Sequence, residues 1–277
     1  MNSVMDSMEG FEDLYLTEDD PELVRESMPS NLKMLELLII QSPEDPRLLL
    51  SAAQAFTMYG HAFIQRDAEI MMSHHNLDEA TRLRERSKKL FSRAKGYAFR
   101  ALESTYPGFW ESYSTDPEET LRKIGENDVP LLYWTTASWG SLISVSKDDP
   151  AAIIELPNIG YFLDRALELD ESYDKGALHE IMISYSISRA DAGSSALEEA
   201  KRHFERALNL SEGKRASVYI AYAEVVSVRN QDKDEFISLL ERALSIDINE
   251  NPSSRLANII AQERAQWLME RVDELFF

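Results

Sequence analysis

AKRHFERALNLS, residues 200–211, is the stretch from which the fold is read. Variants of it recur along the chain: IGYFLDRALELDES around Ala166, FISLLERALSIDIN around Ala243, and a weaker RAKGYAFRALES around Ala101. Each carries Arg-Ala-Leu. A further residue stands three before the Ala (Leu163, Phe204, Leu240, Ala98) and another seven before it (Ile159, Ala200, Phe236, Ala94). Offsets of three, four and seven share one side of a helix, so one amphipathic unit is written four times.

The spacing between Ala101, Ala166, Ala207 and Ala243 is uneven but falls mostly near the periods of ~34 to ~47 residues that mark helical-hairpin repeats. Ala-x-x-x-Phe-x-x-Ala is the second-helix pattern of the tetratricopeptide type: the small Ala lets a neighbouring helix approach, and the Phe or Leu fills the gap beside it. Such a helix cannot hide its apolar stripe alone, so it must stack on others. The expected fold is all-α: a right-handed superhelical stack of tetratricopeptide-like hairpins, an α-solenoid, closed by a C-terminal helix. The lead-in 1–15 is read as loose, and 16–277 as a single repeat domain.

Composition bounds the function. Of 277 residues, 29 are Lys or Arg and 49 are Asp or Glu, a net charge of −20 that repels nucleic-acid backbones and anionic lipid surfaces. The absence of cysteine removes disulfide frameworks and thiolate chemistry without choosing a compartment. No apolar run reaches the ~18 residues that would span a bilayer. The first twenty residues, MNSVMDSMEGFEDLYLTEDD, lack a basic start and an apolar core and so do not read as a signal peptide. Either the protein stays in the cytoplasm or a leader lies outside this sequence.

Helix starts are marked by Asp20-Pro21, Asp45-Pro46, Asp116-Pro117, Asp149-Pro150 and the variant Asn251-Pro252. An Asx side chain satisfies orphan amides while Pro gives up a donor that would go unpaired there. The first helix is expected to break or kink at Pro29, and a long helix is expected from Pro46 to about Met71, alternating small residues with Phe56, Tyr59 and Phe63. The basic stretch 81–102 sets Leu83, Leu90, Ala94, Tyr97, Ala98 and Ala101 toward the core and its cations toward acidic neighbours or an acidic partner. Tyr106-Pro107-Gly108-Phe109-Trp110 reads as an aromatic turn over the core. The most apolar helix, 129–145, should lie inside the stack, and 252–277 should be one terminal helix.

Catalytic constellations are missing. His179-Glu180 opens a zincin-like pattern, but position 183 is Ile; His74-His75 has no partner at metal spacing, and His61 and His203 stand alone on helices. No glycine-rich phosphate loop or nucleophile elbow occurs. The expectation is a non-enzyme with no cofactor and no metal, binding through Tyr59, Tyr133, Trp134 and Trp139 together with Asn258 and Gln262, polar groups on a helix otherwise committed to burial.

The sequence resembles the T component (TatT) of tripartite ATP-independent periplasmic (TRAP) transporters. The motifs that carry the resemblance are DDPELVRE (19–26), AFTMYGHAFIQ (55–65), DVPLLYWTTASWG (128–140), SKDDP (146–150), RALELDESYDKGALHE (165–180), HFERALNLSEG (203–213) and RLANIIAQERAQWL (255–268). The resemblance implies a periplasmic, all-helical, non-enzymatic accessory protein that associates with the transporter's substrate-binding protein. Such proteins usually carry a leader, often with a lipid-anchoring Cys, and this sequence shows neither. Two other readings stay open: a small-molecule protein holding an organic acid or apolar ligand under the central aromatic helix, and a cytoplasmic tetratricopeptide scaffold. No nucleic-acid partner is expected, and self-association into a homo-oligomer is compatible with all three.

Overall fold

The computed structural model describes residues 15–189 and 192–277, so the expected lead-in, apart from Tyr15, lies outside the described residues. Every element among them is helical, with no strand. The chain forms two compact units, Arg25–Glu171 and Ser172–Phe277, the latter joined by the described residues up to Val24. No helix among the described residues is long and apolar enough to cross a membrane.

The unit Arg25–Glu171 begins within helix α1, Pro21–Gln41, which is capped by Asp20: its Oδ1 accepts from the amides of Glu22 and Leu23, both at 3.0 Å. The expected break at Pro29 does not occur. Burial of Met28, Leu32, Leu35 and Ile39 on one face outweighs the one hydrogen bond that the proline removes. Helix α2, Pro46–Tyr59, starts on Asp45, whose side chain accepts from the amides of Arg47 and Leu48. In place of one long helix, α2 passes through a π-helical turn, Gly60–Gln65, into α3, Arg66–Ser73. The 29-residue α4, Leu77–Thr105, is capped by Asn76 and packs along this pair. At Gly60 the Phe91 ring of α4 lies where a Cβ would be, 2.7 Å from its nearest ring atom. Phe91, not Leu90, is the fully buried ring of α4, beside Ala94, Ala98 and Ala101.

After a turn held by Gly108 at φ +78, α5 (Phe109–Thr115) and α6 (Pro117–Arg122) lead to α7, Val129–Ser144. The expectation that α7 is interior holds within this unit, where it packs against α2, α4 and the later α9. Its buried hydroxyls return to their own helix: Thr135 and Thr136 donate to the carbonyls of Leu131 and Leu132. The five-residue α8, Pro150–Ile154, and α9, Leu156–Asp170, complete the unit.

In the second unit, α10 (Ala177–Ser188) and α11 (Ala196–Leu210) form one hairpin. Helix α12, Ala216–Tyr222, continues through a second π turn, Ala223–Ser227, into the single turn α13, Val228–Asn230. It pairs with α14, Lys233–Leu244, which is capped by Asp232. Gly176, at φ +93, starts α10 so close to α11 that an added Cβ would lie 3.2 Å from the Cα of Ala207. The terminal segment is not one helix. A 3-10 turn, Pro252–Ser254, precedes α15, Arg255–Met269, and a break at 270–271 separates it from α16, Val272–Leu275. Leu268 and the buried Val272 are four apart, so the apolar period carries on across the break and hides it in the sequence. Asn251, unlike the four Asp-Pro caps, caps no amide with its side chain, which bonds instead with Ser253 and Ser254.

The four repeat motifs meet the same fate. Ala101, Ala166, Ala207 and Ala243 are all 0% exposed, as are Leu163, Leu240, Ala98, Ala200, Phe236 and Ala94. Phe204 is half-buried and stacks on Tyr222, ring centroids 4.3 Å apart. No alanine methyl could grow here without pushing a neighbouring helix away.

Candidate functional site

The unit Arg25–Glu171 contains a nest of aromatic rings from four helices. Phe99 of α4 stacks on Trp110 of α5 at 3.9 Å and meets Trp139 of α7 edge to face at 4.9 Å. Phe162 of α9 closes the group, 6.1 Å from Trp139 and 6.3 Å from Trp110. The aromatic turn expected over the core supplies Trp110, whose indole nitrogen donates to the Phe99 carbonyl at 3.0 Å.

One cation sits in this nest. Lys95 Nζ lies 4.6 Å from the Trp139 ring centre and 5.0 Å from that of Phe99, a cation–π arrangement on two faces. It donates at 2.6 Å to Glu155 Oε2, and Trp139 Nε1 donates to the same oxygen, also at 2.6 Å. Glu155 stands at the junction of α8 and α9. Its backbone is fixed from behind: Asn158 Nδ2 donates to the Glu155 carbonyl at 3.1 Å, while Asn158 Oδ1 accepts from Tyr113 Oη at 2.9 Å. Burial pushes the Tyr113 phenol well above its ordinary range, so it serves only as a neutral donor.

Of the other residues expected to bind, Tyr59 is buried against Phe63, and its hydroxyl accepts from Arg86 at 3.2 Å. Tyr133 and Trp134 are half-buried and meet edge to face at 4.9 Å. Asn258 and Gln262 lie in the other unit, on α15, and their polar atoms work between helices. Asn258 accepts from the Ala216 amide at 3.0 Å and donates to the Lys214 carbonyl at 3.1 Å. Gln262 donates to the carbonyls of Ala243, Leu244 and Ile246 at the end of α14, closest to Ile246 at 2.8 Å. A cleft of about 240 Å³ beside Lys214, which bonds Asn258, is lined by several paired charges: Lys214 lies 3.0 Å from Glu212 and 2.9 Å from Glu250, and Arg215 is held by Asp174 and Glu180.

Several cations of the basic stretch on α4 find partners inside its own unit. Arg82 bonds Glu79, Arg93 faces Glu36, Arg100 donates to the Pro43 carbonyl, and Lys95 holds Glu155. His203, read as solitary, is not: its Nδ1 lies 2.8 Å from His179 Nδ1 across the α10–α11 hairpin. Burial, then the neighbouring His179 and Arg202, pull the His203 pKa down to about 4. No group of three or more metal-ligating side chains gathers among the described residues.

The family described as TRAP transporter T-component matches residues 17–276. The chain belongs to that family. A curated protein of Treponema pallidum (strain Nichols), described as an uncharacterized protein, is 28% identical over 270 residues, spanning 96% of this chain and 83% of its own length. As a T-component, this chain is a member of a TRAP transport system, and its family is a transporter component, not an enzyme class. The stretch DVPLLYWTTASWG, within the matched residues, contains Trp139, which the sequence points to as a binding residue. The sequence does not single out Lys95, Phe99, Trp110, Glu155 or Phe162 as a group. A buried Trp demands an acceptor, and that demand was the available signal. Finding Glu155 as the acceptor required the turn between α8 and α9.

Proposed function

We propose that this chain is a non-catalytic accessory protein that works in the periplasm and associates with the substrate-binding protein of a TRAP system. The observation that carries this reading is the family match over residues 17–276. In this reading the hairpins within each unit stack in the tetratricopeptide manner, which suits a binding role because stacked hairpins present helix faces to a partner. The buried repeat alanines and the close approach at Gly176 support such stacking. A protein partner is also favoured by large apolar groups left on one side of α1: Met34, Leu37 and Ile40, spaced three apart, are 56%, 50% and 76% exposed.

The test is a calorimetric titration of the purified protein with the substrate-binding protein of its own transport system. A complex at micromolar concentrations is expected, weakened at least about tenfold when Leu37→Glu and Ile40→Glu put charge into the apolar stripe. No heat and no co-elution at tens of micromolar would overturn the association.

A further inference from the structure

We propose that Lys95 and Trp139 form a carboxylate-binding subsite that Glu155 fills in the resting protein, and that its external ligand is a monocarboxylate with a small apolar body. The ammonium of Lys95 and the indole N–H of Trp139 are donors without acceptor capacity. Both are aimed at a single carboxylate oxygen, each at 2.6 Å. Lys95 is well covered, its side chain 17% exposed, and Trp139 is buried, whereas the Glu155 side chain is 41% exposed. The two donors are therefore more deeply covered than the acceptor that satisfies them.

That arrangement lets one carboxylate replace another. Leaving Lys95 unpaired would strand a largely buried charge, so Glu155 can depart only as another anion arrives. The exchange keeps the local charge unchanged. It also leaves the fold in place, because the Glu155 backbone is tied by Asn158 to Tyr113 and only the side chain has to turn outward into water. Ammonium, amide and hydroxyl ligands offer weaker acceptors or none, which selects an anion. The rings of Phe99, Trp110 and Phe162 pack around the donors, and Ile153 and Ile154, exposed 41% and 77%, precede Glu155 in the chain. A second charge on the ligand would be set against the rings of Phe99, Trp110 and Phe162, so one carboxylate with a short aliphatic or aromatic body fits best.

Butyrate and benzoate are suitable probes, added to full-length protein carrying ¹⁵N-labelled tryptophan, with Trp139→Phe identifying the Trp139 indole signal among the four. In the wild-type protein the Trp139 indole N–H should shift saturably with butyrate and stay still with equal concentrations of chloride or butyramide. Glu155 acts as a tethered competitor at an effective concentration in the millimolar range, so Glu155→Ala should bind butyrate about tenfold more tightly or better. Lys95→Met should abolish the response in either background. A Trp139 indole that does not move in wild-type protein, or that moves equally with chloride, overturns the proposal whether or not Glu155→Ala folds. Movement of other indoles alone likewise overturns it and places any bound carboxylate elsewhere.

Discussion

Gly60 and Gly96 both sit inside helical segments, where replacing Gly by Ala ordinarily stabilises by about 0.5–1 kcal/mol. Their surroundings differ. An added Cβ at Gly96 meets nothing within 4 Å, whereas at Gly60 it would lie 2.7 Å from the Phe91 ring, which is itself wholly buried. Gly96→Ala should therefore raise the urea midpoint by the propensity gain, and Gly60→Ala should lower stability by about 1–3 kcal/mol through overpacking. Adding Phe91→Leu to Gly60→Ala should recover part of that loss, since the smaller side chain vacates the contested space. Equal effects at the two glycines would remove the close approach from the account. At this scale the sequence was readable where one residue decides alone. The repeat alanines had to be small, and the Asp-Pro caps bond their amides as their chemistry requires. It was unreadable where a residue's role depends on a distant partner: the neighbours Leu90 and Phe91 are both apolar, and only the packing on Gly60 shows which side chain is wholly buried.

Between elements, the α10–α11 hairpin carries a titratable seam. The two Nδ1 atoms of His179 and His203, 2.8 Å apart, can share one proton but cannot both be protonated there. An unfolded histidine binds its proton near pH 6.5, while folded His203 resists protonation until about pH 4. Between those values the unfolded chain holds a proton that the folded one refuses, so stability contributed by neutral His203 is complete above about pH 6.5 and drains away as the pH falls toward 4. Urea midpoints measured from pH 7 to 4.5 at fixed ionic strength should fall more steeply for wild type than for His203→Gln, which keeps an acceptor for His179 but does not titrate. Parallel slopes would mean that the seam is already open in solution. Each histidine taken singly in the sequence looks unremarkable, because nothing local tells that position 179 of one helix faces position 203 of the next. The π turns at Gly60–Gln65 and Ala223–Ser227 were hidden for a related reason. They slip the helical phase within an otherwise unbroken apolar pattern, and periodicity reads composition more surely than hydrogen-bond register.

For the molecule as a whole, charge is the dominant surface property. Ion pairs such as Arg82–Glu79, Arg122–Glu119 and Lys233–Asp273 join exposed partners that water and salt screen, so they add little to stability. Against them stands a net charge of −20, whose self-repulsion opposes compaction and acts at longer range than any single pair. Raising NaCl from 0.1 to 1 M shortens the screening length from about 10 Å to about 3 Å, which weakens the long-range repulsion more than contacts at hydrogen-bond distance. The melting temperature should therefore rise over that range, with most of the gain at the low-salt end. Sodium chloride is the salt to use, because sulfate would also strengthen apolar burial and blur the cause. If the melting temperature instead falls with NaCl, the paired charges outweigh the excess carboxylates, and the Lys95–Glu155 and Arg264–Glu224 contacts become the first to test by double-mutant cycles. The same excess of carboxylates governs association, now by attraction: a partner that approaches this acidic surface with basic groups should bind more slowly as salt rises, while contacts through Met34, Leu37 and Ile40 should keep the dissociation rate nearly constant. Stopped-flow kinetics with the substrate-binding protein at two salt concentrations would separate these contributions, and a salt effect confined to dissociation would refute the assignment of steering to the net charge.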